Sequence, residues 1–192
     1  LPTLLITHAT SATSQAKFFR LSIEACLALG WQAILVTPHR DLVPDRLPPE
    51  IHYFPALPFN LLLPRIKAVI HHGGIGTLAH AMAAGIPQLI LGVGYDRPDN
   101  GARAQHLGVA EYIPAPQWQA EAIVDALRRL TGSPAVARQC QRLADLVLAD
   151  STADIALKET CRYLEGVTYL PVPVNGKPGD ARQSRLASES TP

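Results

Sequence analysis

Short apolar runs alternate along the chain with longer stretches in which apolar residues recur every three or four positions. Leu4-Leu5-Ile6, Ala33-Ile34-Leu35-Val36-Thr37, Ile51-His52-Tyr53-Phe54, Ala68-Val69-Ile70, Pro87-Gln88-Leu89-Ile90-Leu91 and Val109 to Ile113 are strand-length. Bounded by polar residues, glycine or proline, they read as buried strands. After the first strand, Phe19, Ile23, Cys26 and Leu27 share one helical face, with Ser14 as cap and Gly30 at the end. A helix over residues 77–84, closed by Gly85, follows the fourth strand. Pro98 opens another after the fifth, running to about Leu107 and stopped by Gly108.

The remaining pattern is helical. Ile123, Val124, Leu127 and Leu130 form one stripe, and Val136, Cys140, Leu143 and Val147 form the next, with Gly132, Ser133 and Pro134 as the break between them. Leu157, Cys161 and Leu164 make a third stripe behind a capping box at residues 151–154. Prolines are too dense over residues 41–58 for a helix, and Leu61, Leu62 and Leu63 are read as one helical turn before Pro64. Beyond Gly166 the chain turns polar and rich in Pro, Gly and Ser, which predicts an extended or disordered tail over 166–192 behind a single domain over 1–165. Strands alternating with helices predict an α/β fold, a Rossmann-like parallel sheet of about six strands with helices on both faces. Ligands bind such sheets at the C-terminal strand ends, near a switch in strand order. The loops following the first, third, fourth and fifth strands are therefore expected to line one crevice.

Composition narrows the classes. At 192 residues with 47% apolar content and a net charge of +1, the chain is a globular domain without the basic footprint of a nucleic-acid binder. Its apolar runs fall short of the roughly 20 residues of a membrane span, and no signal peptide is visible. Cys26, Cys140 and Cys161 are odd in number and fall on apolar helix faces. They read as buried reduced thiols, which favours a cytoplasmic location. The absence of an initiator Met points to a cropped chain.

The chemistry concentrates at His71-His72-Gly73-Gly74-Ile75-Gly76-Thr77, between the fourth strand and its helix. Glycines let the backbone approach a ligand, and the free amides and dipole of the new helix face the same point, so the turn is an anion site. Two imidazoles stand beside it as hydrogen-bond donors. Gly74-x-Gly76-x-x-Ala79 also fits a dinucleotide fingerprint, with Asp96 at the right distance for a ribose hydroxyl. Against an NAD(P)-binding oxidoreductase, three strands precede the fingerprint instead of none. No Lys-Ser/Thr pair follows the glycines, so a P-loop is excluded. Adjacent histidines without nearby carboxylates make a poor zinc site. Asp96 and Arg97 are candidates for holding a polyhydroxylated ligand, whereas His8, His39, His52, His80 and His106 read as ordinary loop or surface residues.

Four segments then form a recognisable set. Pro58-Phe59-Asn60-Leu61-Leu62-Leu63-Pro64-Arg65 looks like "PFSxLLPR", and residues 71–77 match "HHGGxGT". Ala84-Gly85-Ile86-Pro87 matches "AGxP", and Asp96-Arg97-Pro98-Asp99-Asn100 looks like "DQPxN". In this order the chain resembles the C-terminal, nucleotide-sugar-binding domain of GT-B glycosyltransferases. The nearest group is the bacterial macrolide, sterol and rhamnosyl transferases related to the UDP-glucuronosyltransferases.

The resemblance implies a donor-binding domain of an inverting hexosyltransferase that moves a sugar from a nucleoside-diphosphate sugar, such as a UDP- or dTDP-hexose, to an acceptor hydroxyl. It implies that Thr10, His72, Gly74, Ile75, Gly76 and Thr77 hold the diphosphate, that Leu57, Pro58 and Phe59 line the nucleobase pocket, and that Asp96, Arg97 and Asn100 meet the donor sugar. His72 would stabilise the leaving group, with no metal or other cofactor. Arg97 stands where the family has Gln, and Ala9-Thr10 where it often has Gly-Ser. The acceptor, a small molecule or lipid, and the catalytic base would belong to an N-terminal domain outside this chain, which is then expected to be inactive alone. Alternatives are a non-catalytic nucleotide-sugar-binding subunit that needs an acceptor-domain partner, or a GT-B-fold sugar-nucleotide epimerase, for which no acid/base carboxylate set is evident.

Overall fold

The computed structural model describes residues 1–8 and 16–149. The Ser14 cap, Thr10, the capping box at 151–154, the stripe containing Cys161 and the 166–192 tail lie outside the described residues. Six strands form one wholly parallel sheet: β1 (Thr3–Thr7), β2 (Gln32–Val36), β3 (Ile51–Phe54), β4 (Ala68–His71), β5 (Gln88–Ile90) and β6 (Ala110–Tyr112). The order across the sheet is β3-β2-β1-β4-β5-β6. The chain therefore runs outward from β1 to β3, then returns to place β4 against the free side of β1. That reversal leaves a crevice above the carboxyl ends of β1 and β4.

The helices are α1 (Ala16–Ala28), the single turn α2 (Phe59–Leu62), α3 (Ile75–Ala83), α4 (Arg97–His106), α5 (Ala120–Gly132) and α6 (Pro134–Ala149). Each element predicted within the described residues is present, with two shifts that matter. α3 begins at Ile75, two residues before the expected Thr77, so Gly76 lies in its first turn. α4 begins at Arg97, with Pro98 in its first turn. The single turn expected at residues 61–63 is α2 followed by a 3-10 turn over Leu63–Arg65. α5 runs through Gly132, and Ser133 Oγ accepts the Val136 amide at 3.3 Å to open α6, as its capping role predicted.

β1 and β4 are buried along nearly their whole length because both of their faces are covered. Leu4, Ile6, Ala68, Ile70, Leu89 and Leu91 point to one face, where they pack with Phe18, Phe19 and Cys26 of α1 and Ile123 and Leu127 of α5. Leu5 and Val69 point to the other, against Leu63, Ile66 and Ala81. Farther along that face, Ile90 meets Leu78 of α3, Ala104 of α4 and Cys140 of α6. Cys26 and Cys140 are thus buried free thiols, as their helical phase predicted. Among the described residues no helix is long and apolar enough to cross a membrane.

Candidate functional site: a cleft at the strand-order switch

A cleft of about 380 Å³ opens at the carboxyl ends of the central strands. One end is mainly apolar: Val36, Thr37 and Pro38 from the end of β2, Pro55, Ala56 and Leu57 after β3, and Phe59 on α2. The other end is polar and formed by Thr7 and His8 at the end of β1 with His72, Gly74, Gly76 and Thr77 after β4. No lysine or arginine lines it among the described residues. Leu57, Phe59, His72, Gly74, Gly76 and Thr77 are therefore brought together as their sequence positions predicted. Pro58 is not part of the lining; it is exposed at the start of α2.

The polar end is built on the start of α3. Gly74 is the N-cap and contributes no side-chain hydrogen bond, so the first amides of the helix, at Ile75, Gly76 and Thr77, are left for a partner outside it. A Cβ on Gly76 would meet nothing within 4 Å, and its φ is not in the left-handed region. Neither packing nor backbone conformation requires glycine there. Open backbone facing the cleft fits the close approach of an anion to the helix terminus. Gly73, by contrast, is required by the fold: its φ is +87°, and a Cβ would lie 2.9 Å from the Arg97 carbonyl oxygen.

The two adjacent imidazoles have different environments. His71 is the last residue of β4 and is completely buried. Its Nδ1 accepts the Gly73 amide at 3.1 Å, which places the proton on Nε2, and Nε2 then donates to Gln88 Oε1 at 3.0 Å. Burial, reinforced by His72, pushes its pKa down to about 3, against the opposing effect of the Gln88 bond. The expectation of two imidazoles beside the anion is corrected: His71 braces the turn from beneath, and its nitrogens are engaged. His72, 9% exposed, stands at the cleft. A Cβ on Gly74 would overlap its Nε2, so that nitrogen abuts the N-cap of α3. Its Nδ1 is buried without a hydrogen-bond partner. Burial and the nearby Arg97 charge push its pKa down to about 4, with Asp96 opposing. At neutral pH His72 is an uncharged ring able to donate from one nitrogen.

Asp96, Arg97 and Asn100 do not line this cleft. They stand beside it, across Gly73. Asn100 Nδ2 donates to the Gly73 carbonyl oxygen at 2.9 Å and to Asp96 Oδ2 at 2.8 Å, tying the turn after β4 to the start of α4. Arg97 is buried, its guanidinium 5.6 Å from the Tyr95 ring centroid and its Nη1 donating to the Val93 carbonyl oxygen at 3.3 Å. Tyr95 is 83% exposed with φ +55°, a strained conformation for a residue bearing a side chain.

Sequence reasoning missed His8. By its sequence position it reads as an ordinary loop or surface residue, yet it is 6% exposed and lines the polar end, its ring 5.1 Å from that of His72. The signal was present: it is the first residue beyond a strand that borders the switch point. The cleft residues Val36, Thr37, Pro38, Pro55 and Ala56 were missed because only the strand order sets the ends of β3 and β2 in line with that of β1 along the cleft.

Comparison with known proteins agrees with this architecture. Residues 31–160 match the family model described as the erythromycin biosynthesis protein CIII-like C-terminal domain. The chain is 36% identical over 105 residues to the O-mycaminosyltylonolide 6-deoxyallosyltransferase of Streptomyces fradiae, covering 54% of this chain and 25% of that enzyme. It is 32% identical over 136 residues to the aclacinomycin-T 2-deoxy-L-fucose transferase of Streptomyces galilaeus, covering 69% and 31% respectively. Among solved structures, spinosyn rhamnosyltransferase SpnG complexed with thymidine diphosphate superposes with a TM-score of 0.68 at 26% identity, covering 78% of this chain and 42% of that one. Glycosyltransferase VinC in complex with dTDP gives 0.69 at 23%, covering 86% and 42%. The chain thus spans a quarter to under half of the length of these relatives. Its sheet is the Rossmann-like half seen in GT-B glycosyltransferases, and the chain belongs to the erythromycin biosynthesis protein CIII-like family of glycosyltransferase C-terminal domains.

Proposed function

We propose that the chain is the donor-binding half of an inverting glycosyltransferase that uses a nucleoside-diphosphate hexose, with UDP or dTDP as the nucleotide. The observation that carries the reading is the polarity of the cleft: an apolar end at β2, β3 and α2, then open helix amides and His72 at β4. A nucleotide laid across the sheet would put its base against Leu57 and Phe59, with Pro58 behind them. Its diphosphate would rest on the α3 terminus, with His72, Gly74, Ile75, Gly76 and Thr77, and Thr10 would approach from the loop after β1. Its sugar would lie toward Asp96, Arg97 and Asn100. Two of the structural relatives are complexes with thymidine diphosphate, which supports a nucleoside diphosphate as the ligand class for this chain.

The reaction would be displacement at the anomeric carbon. The acceptor oxygen forms a bond to that carbon, the bond to the phosphate oxygen breaks, and the diphosphate leaves with the electron pair. Charge building on the leaving group would be met by the helix amides and by His72 donating as a neutral imidazole, a preorganised arrangement that requires no metal or other cofactor. The acceptor's proton would pass to a base outside this domain, in the part of the relatives that this chain does not span. Alone, in a cytoplasmic setting, the chain would bind nucleotide and turn over little. The dinucleotide reading is disfavoured, because the glycines follow β4 and not β1, and Asp96 follows β5 and not β2.

Calorimetric titration with UDP, dTDP, GDP and NAD tests this. A nucleoside diphosphate is expected to bind more tightly than NAD, and His72→Ala to weaken it by about 1–3 kcal/mol, as for a hydrogen bond to a charged group. Binding of NAD alone, or unchanged affinity in the variant, would overturn the reading.

A further inference from the structure

We propose that His8 is a second binding residue of the anion end, placed beside His72 to donate to the same diphosphate; this rests on the nucleotide-binding reading above. Thr7 and His71 are register partners in the β1–β4 pair, so His8 and His72 stand one step beyond the last paired position. Leu4 and Ile6 precede His8 on its face of the sheet, as Ala68 and Ile70 precede His72. Both strands therefore end their apolar face on an imidazole, side by side, where the sheet opens into the cleft.

The surroundings hold the His8 ring firmly. Phe18 meets it edge-on, with centroids 4.7 Å apart and planes at 77°, and His72 lies against it at 5.1 Å and 32°. The anion end has no cationic lining among the described residues, so its affinity depends on neutral N–H and O–H donors: the α3 amides, Thr77, His72 and, on this proposal, His8. Two rigid imidazoles on neighbouring strands give an anion donors from both sides of the switch point, where α3 alone supplies only one.

The test compares His8→Phe, which keeps an aromatic ring against Phe18, with His8→Gln, which keeps an N–H donor but loses the ring. Each is titrated as the whole chain with UDP, dTDP and inorganic pyrophosphate, alongside a thermal melt. The Phe variant is expected to melt near the wild type yet bind diphosphate and pyrophosphate about tenfold more weakly, while Gln retains most of the affinity. If His8→Phe does not fold, His8→Leu, matching the apolar residues upstream on that face, takes its place. Wild-type affinity in the Phe or Leu variant, or a Gln variant as weak as Phe, would show that the ring only packs and would overturn the assignment. Absence of any diphosphate binding by the wild type would instead overturn the nucleotide-binding reading, and the His8 assignment with it.

Discussion

His71 and His72 are identical in type and adjacent in sequence, yet they do opposite work because a strand sends consecutive side chains to opposite faces. His71 is locked beneath the turn between the Gly73 amide and Gln88, and His72 faces the cleft. This has a measurable consequence for stability. The folded state holds His71 near 3, whereas the unfolded chain has it at the ordinary value of about 6.5, so the unfolded state binds more protons below pH 6.5. The stability contributed by its neutral form is complete above that pH and is lost as pH falls from about 6.5 toward 3. Chemical denaturation is expected to show a loss of about 2 kcal/mol between pH 7 and pH 5 from this group. A His71→Gln variant, less stable at pH 7, should show a shallower acid slope; an unchanged slope would mean that another group dominates. The HHGG string was legible as a turn with open amides from residue types alone, and the family resemblance singled out His72. That His71 is held beneath the turn was not legible, because it depends on where β4 ends and on Gln88 beside it.

At the scale of elements, the start of α3 couples sequence to site. Gly76 sits in the first turn of a helix, with space for a Cβ and no positive φ. Gly76→Ala is therefore expected to stabilise the fold by about 0.4–1 kcal/mol through the unfolded chain's lost freedom. On the proposed placement of the diphosphate the same methyl group would meet the ligand, so diphosphate affinity should fall at least tenfold. Opposite signs in melting and titration would show that this glycine serves the ligand; unchanged affinity would remove it from the site. Gly74→Ala behaves differently, because its Cβ would overlap His72 Nε2, so both stability and binding should suffer. A helix start at Thr77 is expected because glycine by itself favours a turn, whereas the helix starts two residues earlier, at Ile75. Once the helix is built on β4, the local glycine preference is overridden by tertiary packing of Leu78 and Ala81.

At the scale of the whole molecule, the strand order converts a linear sequence into an ordered surface. From β3 to β5 it sets out an apolar pocket, two imidazoles and a helix terminus, then the Asp96–Asn100 brace. Amide chemical shifts followed during titration with UDP or dTDP are expected to move first at residues 36–38, 55–59 and 72–77. A nucleotide sugar should extend them to residues 94–100, with α6 unaffected. Shifts centred on α5 and α6 would contradict the proposed placement.

The sequence by itself determined the alternation of strand and helix, the parallel sheet, the burial of Cys26 and Cys140, and the place of the His-Gly turn between β4 and its helix. Each of these is written in local periodicity and residue chemistry, which neighbouring positions carry. Only the tertiary structure decided that β4 returns beside β1, and with that, that His8 faces His72, that the ends of β2 and β3 form the apolar wall, and that Asp96 and Asn100 brace Gly73. Those relations join residues up to 64 positions apart, as His8 and His72 are. They exist only once parallel pairing has set the register of strands that the chain visits out of order.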